Sequence, residues 1–492
     1  MLIQLQADSR EPIYRQIIRQ ITELIERGAL PAGKRLPSTR RLAEQLGIHR
    51  STVATAYQEL WSLGYLDMRP GSFPRVRKPR KTAASGATSQ PGKIDWQRLA
   101  APAAEQLRET FRTFHPESSR KTDTAVVNLS RLEVDPRLVP FDRFRTCLNR
   151  AMHADPKTLC GYGGRRGFPP LREAIARRMQ AHGISVGQEE IIVTNGSMHG
   201  IDLVLRMLAG PKRRIAVESP TYAQIIPLIR FQGLETTAIP MKSDGLDLDC
   251  LRQTIRTAPP VLLYTMPNFQ NPTGITSTPS HRENLLALCE ESGLPILEDG
   301  FEEEMKYFGK VALPIKSLDR SGIVIYCGSF SKILFPGLRI GWIAADRQCI
   351  ERITAIRRFT DLSSGMILQA GLHEFIEQGF FDLHVQRMHR TFRKRMETAL
   401  TALRKTVSRE WAEWREPAGG YLIWLQLKRT GRSPIDWPGF CARHRVYVSP
   451  GDYFFPDPRG RPCIRLSIAT LNEEEITEGI RRLGNLLEEV CP

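Results

Sequence analysis

Three short apolar runs, each leading to a residue able to do chemistry, constrain the fold of this 492-residue chain more than any other feature. VLLYTMPNFQNPTG runs to Asn271 at a Pro-Gly turn, LPILEDG runs to Asp299, and CGSFSKILFPGLRIGW carries Lys332. Unbroken apolar runs of this kind suit strands covered on both faces. IIVTNGSMHGIDLVLRML, reading strand, turn, helix, and RIAVESPTYAQ precede them. Strands alternating with helices through residue 350 predict an α/β fold with a mainly parallel, doubly covered sheet. Ligands of such sheets bind beyond the carboxyl ends of the strands, where Asn271 and Asp299 fall.

Lys332 follows Ser329 and Ser331 and precedes a Pro336-Gly337 turn, with Arg339 seven residues after the lysine. That arrangement suits capture of a phosphorylated aldehyde: the amine forms a Schiff base, while a hydroxyl and a guanidinium hold the phosphate. Taken alone, the tetrapeptide supports nothing beyond a lysine-bearing surface loop. With NPTG (271–274) and ILEDG (296–300) before it, however, the block resembles the pyridoxal-phosphate core of fold-type I aminotransferases. TNGSMH (194–199) resembles the phosphate turn at a helix start, SPTY (219–222) the ring-stacking segment, and IRLSIA (464–469) the carboxylate-binding strand.

The resemblance implies pyridoxal 5'-phosphate as cofactor, joined to Lys332. It implies Asp299 on the pyridinium nitrogen, Asn271 on the phenolic oxygen and Tyr222 on the ring face. Gly196, Ser197 and Met198, with Ser329 and Arg339, would hold the phosphate, and Arg465 the carboxylate of an amino acid. GYGGRRG places Tyr162 where relatives send a tyrosine across a dimer interface to the partner's cofactor phosphate, which implies a homodimer. Two departures stand out. Relatives carry a tyrosine two or three residues after the aspartate, where this chain has Phe301 and Glu302. They also carry a glycine in the leading segment, whereas none occurs here between Asn128 and Gly161, so Leu132 or a neighbour crowds that place.

The N-terminal stretch reads differently. Ile13, Ile17, Ile21, Leu24 and Ile25 recur at helical spacing before Gly28. LPSTRRLAEQLGI starts a second helix, with Ser38 as N-cap, and HRSTVATAYQELWSLG a third with Val53, Ala56, Tyr57 and Leu60 inward. YLDMRPGSFPRV reads as two strands of a wing around Gly71. Two short helices joined through a glycine turn form a helix-turn-helix, whose second helix presents its first residues to base edges in the major groove. This stretch resembles the winged helix-turn-helix of the GntR family, which implies Arg40, His49, Arg50, Ser51, Thr52 and Gly71 as contacts to double-stranded operator DNA. Residues 1–81 hold 15 basic against 7 acidic residues, a surplus of 8 within the net charge of +17, which favours a polyanionic partner.

The expected organisation is a DNA-binding domain (1–78), a flexible basic linker (79–122) and an aminotransferase-like, dimerising domain (123–492) with a small C-terminal α+β part from about 361. A helical pattern through Leu99, Leu107 and Phe111 interrupts the linker. Nine cysteines without a C-x-x-C pair, no secretory-type leader and no membrane-length apolar run point to a cytoplasmic protein without a metal. The whole plan resembles MocR/GabR-type regulators. It implies a transcription regulator that senses an amino compound, or the cofactor itself, and moves DNA-binding domains on half-sites. An authentic aminotransferase with an autoregulatory DNA-binding segment, and a dimerisation scaffold that has lost its cofactor, remain the alternatives.

Overall fold

The computed structural model describes residues 3–6, 8–9, 11–69, 72–77, 94–114, 126–301, 303–308, 312–428, 435–457 and 462–491. Contacts divide the chain into two units, Met1–Leu99 and Ala100–Pro492.

In the first unit, α1 (Ile13–Glu26) buries Ile17, Ile21 and Ile25, one stripe of a 3.6-residue repeat. Helix α2 (Thr39–Leu46) starts where the Ser38 hydroxyl accepts the Arg41 amide at 3.3 Å and stops at Gly47, whose φ of 65° is the left-handed conformation glycine takes most readily. Helix α3 (Arg50–Ser62) buries Val53, Ala56, Tyr57 and Leu60, and the Tyr57 hydroxyl donates to the Pro37 carbonyl at 3.0 Å. That bond fixes α3 against the start of α2, so both helix N-termini are held in one rigid piece. Strands β1 (Leu66–Asp67) and β2 (Arg75–Val76) pair antiparallel as the wing. Gly71 lies outside the described residues. Beyond the wing, residues 94–114 hold a short helix, α4 (Trp96–Leu99), and, opening the second unit, α5 (Pro102–Phe114). The rest of the segment read as a linker lies outside the described residues.

In the second unit, β3 (Val127–Asn128) precedes the eight strands of a large sheet. These are β4 (Ile191–Thr194), β5 (Arg214–Ser219), β6 (Glu235–Lys242), β7 (Gly245–Leu246), β8 (Leu262–Thr265), β9 (Ile296–Asp299), β10 (Val324–Ser329) and β11 (Gly341–Ala344). Their order is β4-β11-β10-β9-β8-β5-β6-β7. The five strands from β10 to β6 are mutually parallel, while β11 runs against both neighbours and β7 against β6. Every residue of β4, β8, β9 and β10 is buried, which explains why these strands read as continuous apolar runs instead of alternating ones. Register places Cys327 opposite Asp299 and Thr265 opposite Glu298, so the carboxyl ends of β8, β9 and β10 open onto the same edge.

A second, antiparallel sheet is built from β12 (Ala412–Trp414), β13 (Leu422–Leu427), β15 (Ser449–Pro450) and β16 (Cys463–Ser467), in the order β12-β13-β16-β15. The remaining strand, β14 (Val446–Tyr447), pairs with β3, which ties the segment leading into this unit to its C-terminal part. Just downstream, Asp135 and Arg395 form an ion pair at 2.6 Å with both side chains buried. Desolvation opposes that carboxylate, but Arg137 and Arg395 hold it below the ordinary range. The segment from 127 to 135 is thereby fixed across the site described next.

Candidate functional site

A cavity of about 860 Å³ lies beyond the carboxyl edge of the large sheet, and Ser197, Tyr222, Asn271, Asp299, Lys332 and Arg465 all line it. Residues up to 268 positions apart in sequence thus converge on one volume, each delivered by a strand end, a helix start or the loop after one.

Asp299 is the last residue of β9 and is 3% exposed. Its Oδ2 accepts the Tyr264 hydroxyl at 2.7 Å, whereas Oδ1 has no hydrogen-bond partner. Burial pushes this carboxyl up to about 6, against the lowering effects of the Tyr264 hydrogen bond, the nearby Phe301 amide and the Lys332 charge. Sequence reasoning missed Tyr264, although a tyrosine inside the otherwise aliphatic end of LLYT needs a hydroxyl partner when buried.

Lys332 follows β10, and its Nζ donates to the Leu132 carbonyl at 2.5 Å. Leu132 also lines the cavity, so the segment without glycine does crowd this place and supplies an acceptor for the ammonium. The Tyr421 hydroxyl donates to the Lys332 carbonyl at 2.7 Å and fixes the backbone beneath the amine. Ser329 is buried, with its hydroxyl accepting the Ser331 amide at 3.1 Å, and it does not line the cavity.

At the neighbouring helix start, Gly196 takes φ 90° and the helix Ser197–Leu208 begins without a side-chain cap. A Cβ on Gly196 would stand 2.8 Å from an Arg339 guanidinium nitrogen, so only glycine lets Arg339 approach this turn. Arg339 itself donates to the Asn195 carbonyl at 2.8 Å. Uncapped amides at a helix N-terminus beside a guanidinium suit an anion. The Met198 side chain packs against the apolar core, which leaves its backbone amide, the group the sequence reading assigned to the phosphate, at the helix start.

Arg465 on β16 donates to the Asn271 Oδ1 at 3.0 Å, to the Ser130 carbonyl at 2.8 Å and to the Ser449 hydroxyl at 3.2 Å, with the Phe454 ring 4.9 Å below its guanidinium. Asn271 and Arg465 are therefore partners, a link the sequence did not show. The Tyr222 hydroxyl donates to the Gln224 side chain at 2.9 Å. Phe301 is buried and lines the cavity with no hydroxyl to offer, while Glu302 lies outside the described residues. Tyr162 is 85% exposed and lines none of this cavity in the single chain.

These residues fit pyridoxal phosphate. A buried carboxylate oxygen without a partner matches a ring N–H, an uncapped helix start with Arg339 matches a phosphate, and Lys332 supplies an amine in the same cavity as the carboxylate. No group of acidic, histidine and cysteine side chains suited to a metal occurs among the described residues.

In the first unit, the residues read as DNA contacts gather at two helix starts. Arg40, His49, Arg50 and Ser51 are exposed and Thr52 half-buried. His49 caps α3, its Nδ1 lying 2.6 Å from the Ser51 hydroxyl, and Arg50 Nε donates to the Thr39 hydroxyl at 3.3 Å. Thr39, absent from the sequence reading, thus orients the arginine. No helix among the described residues is long and apolar enough to cross a membrane.

Residues 130–483 match the family "Aminotransferase class I and II" and residues 13–75 the family "Bacterial regulatory proteins, gntR family". The uncharacterized HTH-type transcriptional regulator YdfD of Bacillus subtilis is 30% identical over 98% of this chain and 97% of its own length. The probable rhizopine catabolism regulatory protein MocR of Rhizobium meliloti is 28% identical over 98% of this chain and 95% of its own. Among solved structures, the α-aminoadipate aminotransferase LysN of Thermus thermophilus, complexed with N-(5'-phosphopyridoxyl)-L-leucine, superposes with a TM-score of 0.73. It is 29% identical, over 80% of this chain and 98% of that one. The chain belongs to the MocR/GntR-type regulators, in which a GntR-family helix-turn-helix is fused to a domain of the class I and II aminotransferase family.

Proposed function

We propose that this protein is a transcription regulator that binds operator DNA through α3 and senses an amino compound at a pyridoxal-phosphate site in its second unit. The carrying observation is the unpartnered, fully buried Oδ1 of Asp299 in the same cavity as Lys332. Bound there, the cofactor supplies an electrophilic aldehyde on an electron-withdrawing ring.

The chain's own residues divide the remaining work. Asp299, steadied by Tyr264, holds the proton of the ring nitrogen. The amides of Gly196 and Ser197, with Arg339, take the phosphate. Arg465, preset by Asn271, Ser449 and the Ser130 carbonyl, receives the carboxylate of an incoming amino acid bidentately. Lys332 would hold the cofactor's aldehyde through its amine. The Phe301 side chain has no donor where relatives place a tyrosine, which would leave the phenolic oxygen to Asn271. That loss disfavours rapid exchange at neutral pH and favours a sensor over a catalyst. Exposed Tyr162, with Phe359 and Phe141 also exposed, supports a homodimer in which each Tyr162 serves the partner's cavity.

The test is an absorbance spectrum of the purified protein with a panel of amino acids, paired with binding to DNA selected from a randomised pool. The expected result is a cofactor band that at least one amino compound shifts without turnover, together with a change in DNA affinity. Sustained keto-acid production would instead make the protein a transaminase. On the DNA side, Arg50→Ala should weaken binding roughly 10- to 100-fold, the loss of one bidentate base contact, and relax selection at one base pair. Arg40→Ala that weakens all sequences alike would mark a phosphate contact.

A further inference from the structure

The cavity is not uniform along its length, and its outer wall includes a part of the chain outside the matched aminotransferase segment. Its inner end holds Lys332, Asp299 and Arg465. The wall also includes Phe111 and Phe114 from the last turn of α5, together with Trp437 and Tyr453. Two contacts hold α5 there: the Phe114 and Tyr453 rings lie 4.8 Å apart, and the Tyr453 hydroxyl donates to the Thr113 carbonyl at 3.2 Å. Helix α5 also packs on the helix Ile225–Phe231. Among the described residues, the charged ones lining the cavity besides the inner three are Arg131 and Glu133, of opposite sign, on either side of Leu132. The described outer wall therefore offers a large aromatic area to an apolar side chain and balanced charge to an ionic one.

Resting on the function proposed above, we propose that the effector is an α-amino acid with a bulky apolar or aromatic side chain. In this reading Phe111 and Phe114 are its specificity residues, so effector occupancy is read directly by the helix that opens the second unit. Arg465 takes the carboxylate, Lys332 yields to the amine, and the side chain must then extend toward α5. Phe111 is 54% exposed, and a side chain laid against it removes that apolar area from water and holds the last turn of α5 in place. Small or ionic amino acids satisfy the inner end and leave α5 untouched.

The experiment uses full-length protein loaded with pyridoxal phosphate and titrated with L-phenylalanine, L-alanine and L-glutamate. The readouts are the cofactor band and hydrogen exchange over residues 102–114. Wild type should bind L-phenylalanine roughly tenfold or more tighter than the other two and slow exchange in α5 only with it. Phe111→Ala and Phe114→Ala should lose about tenfold in L-phenylalanine affinity with L-alanine affinity unchanged, and Phe111→Leu should recover part of the loss. A preference for L-glutamate or L-alanine, or an equal loss for all three ligands in the variants, overturns the proposal while leaving the cofactor reading intact. Absence of any cofactor band after loading overturns the cofactor reading, and this proposal with it.

Discussion

Lys332→Ala is expected to lose the cofactor's visible band and its response to every amino compound, while the protein stays folded and still binds DNA. The amine is the one lysine lining the cavity among the described residues, and the contacts left to the cofactor would be the noncovalent ones at the phosphate turn, Asp299 and Asn271. Loss of the covalent anchor should weaken retention by roughly a hundredfold, or ~3 kcal/mol. The fold should tolerate the change. Alanine leaves the Leu132 carbonyl without the lysine's hydrogen bond, a penalty of ~1 kcal/mol, and at the same time removes a half-buried charge. Thermal melting of the cofactor-free proteins should therefore agree within a few degrees. Dialysis followed by absorbance and melting separates the outcomes: an unchanged band in the variant would remove Lys332 from the site, and a collapsed melting transition would make it structural.

Much of this site was legible because its chemistry sits where the fold must put it. A parallel sheet needs buried apolar strands, and a residue at the end of such a run must emerge at the ligand-binding edge. Asn271, Asp299 and Lys332 could therefore be placed from their positions after three runs. The helix starts were equally readable, since Ser38 and Gly47 bracket α2 through capping preferences that depend on local residues alone. What the sequence withheld were the partners. Tyr264 precedes Asp299 by 35 positions and meets it because β8 and β9 are neighbours in register, which no local pattern encodes. Asn271 and Arg465 are 194 positions apart and meet only once the two sheets are assembled. The helical pattern through Phe111 was legible, but the place of its last turn on the cavity wall follows from the contact of Phe114 with Tyr453, 339 positions later. Nor does a motif show where its side chains turn: the Ser329 hydroxyl accepts the Ser331 amide, and the Met198 side chain packs on the core.

Asp299→Asn should move stability and cofactor retention in opposite directions, which makes it the sharper test of the carboxylate's role. In the cofactor-free protein, burial pushes the Asp299 carboxyl from its ordinary 3.8 up to about 6. Between about pH 4 and 6 the folded chain therefore keeps a proton that the unfolded chain releases, and stability falls as pH rises through that window. Above about pH 6 the full penalty, about 1–3 kcal/mol, is present. Asparagine carries no such penalty and can still accept the Tyr264 hydroxyl. The cofactor-free variant should thus be about 1–3 kcal/mol more stable than wild type at pH 7.5, with a shallower decline between pH 4 and 6. Some decline persists, because burial likewise pushes Glu218 up to about 6 and Glu298 up to about 7. With cofactor the sign reverses. An amide cannot neutralise a protonated ring nitrogen, and a buried charge left unpaired costs ~3–5 kcal/mol, so retention should fall about a hundredfold or more. Denaturant unfolding across pH 4–8, with and without pyridoxal phosphate, measures both effects in one series. A variant destabilised without cofactor would show that the carboxylate supports the fold. A variant that keeps wild-type cofactor affinity would show that Asp299 does not hold the ring.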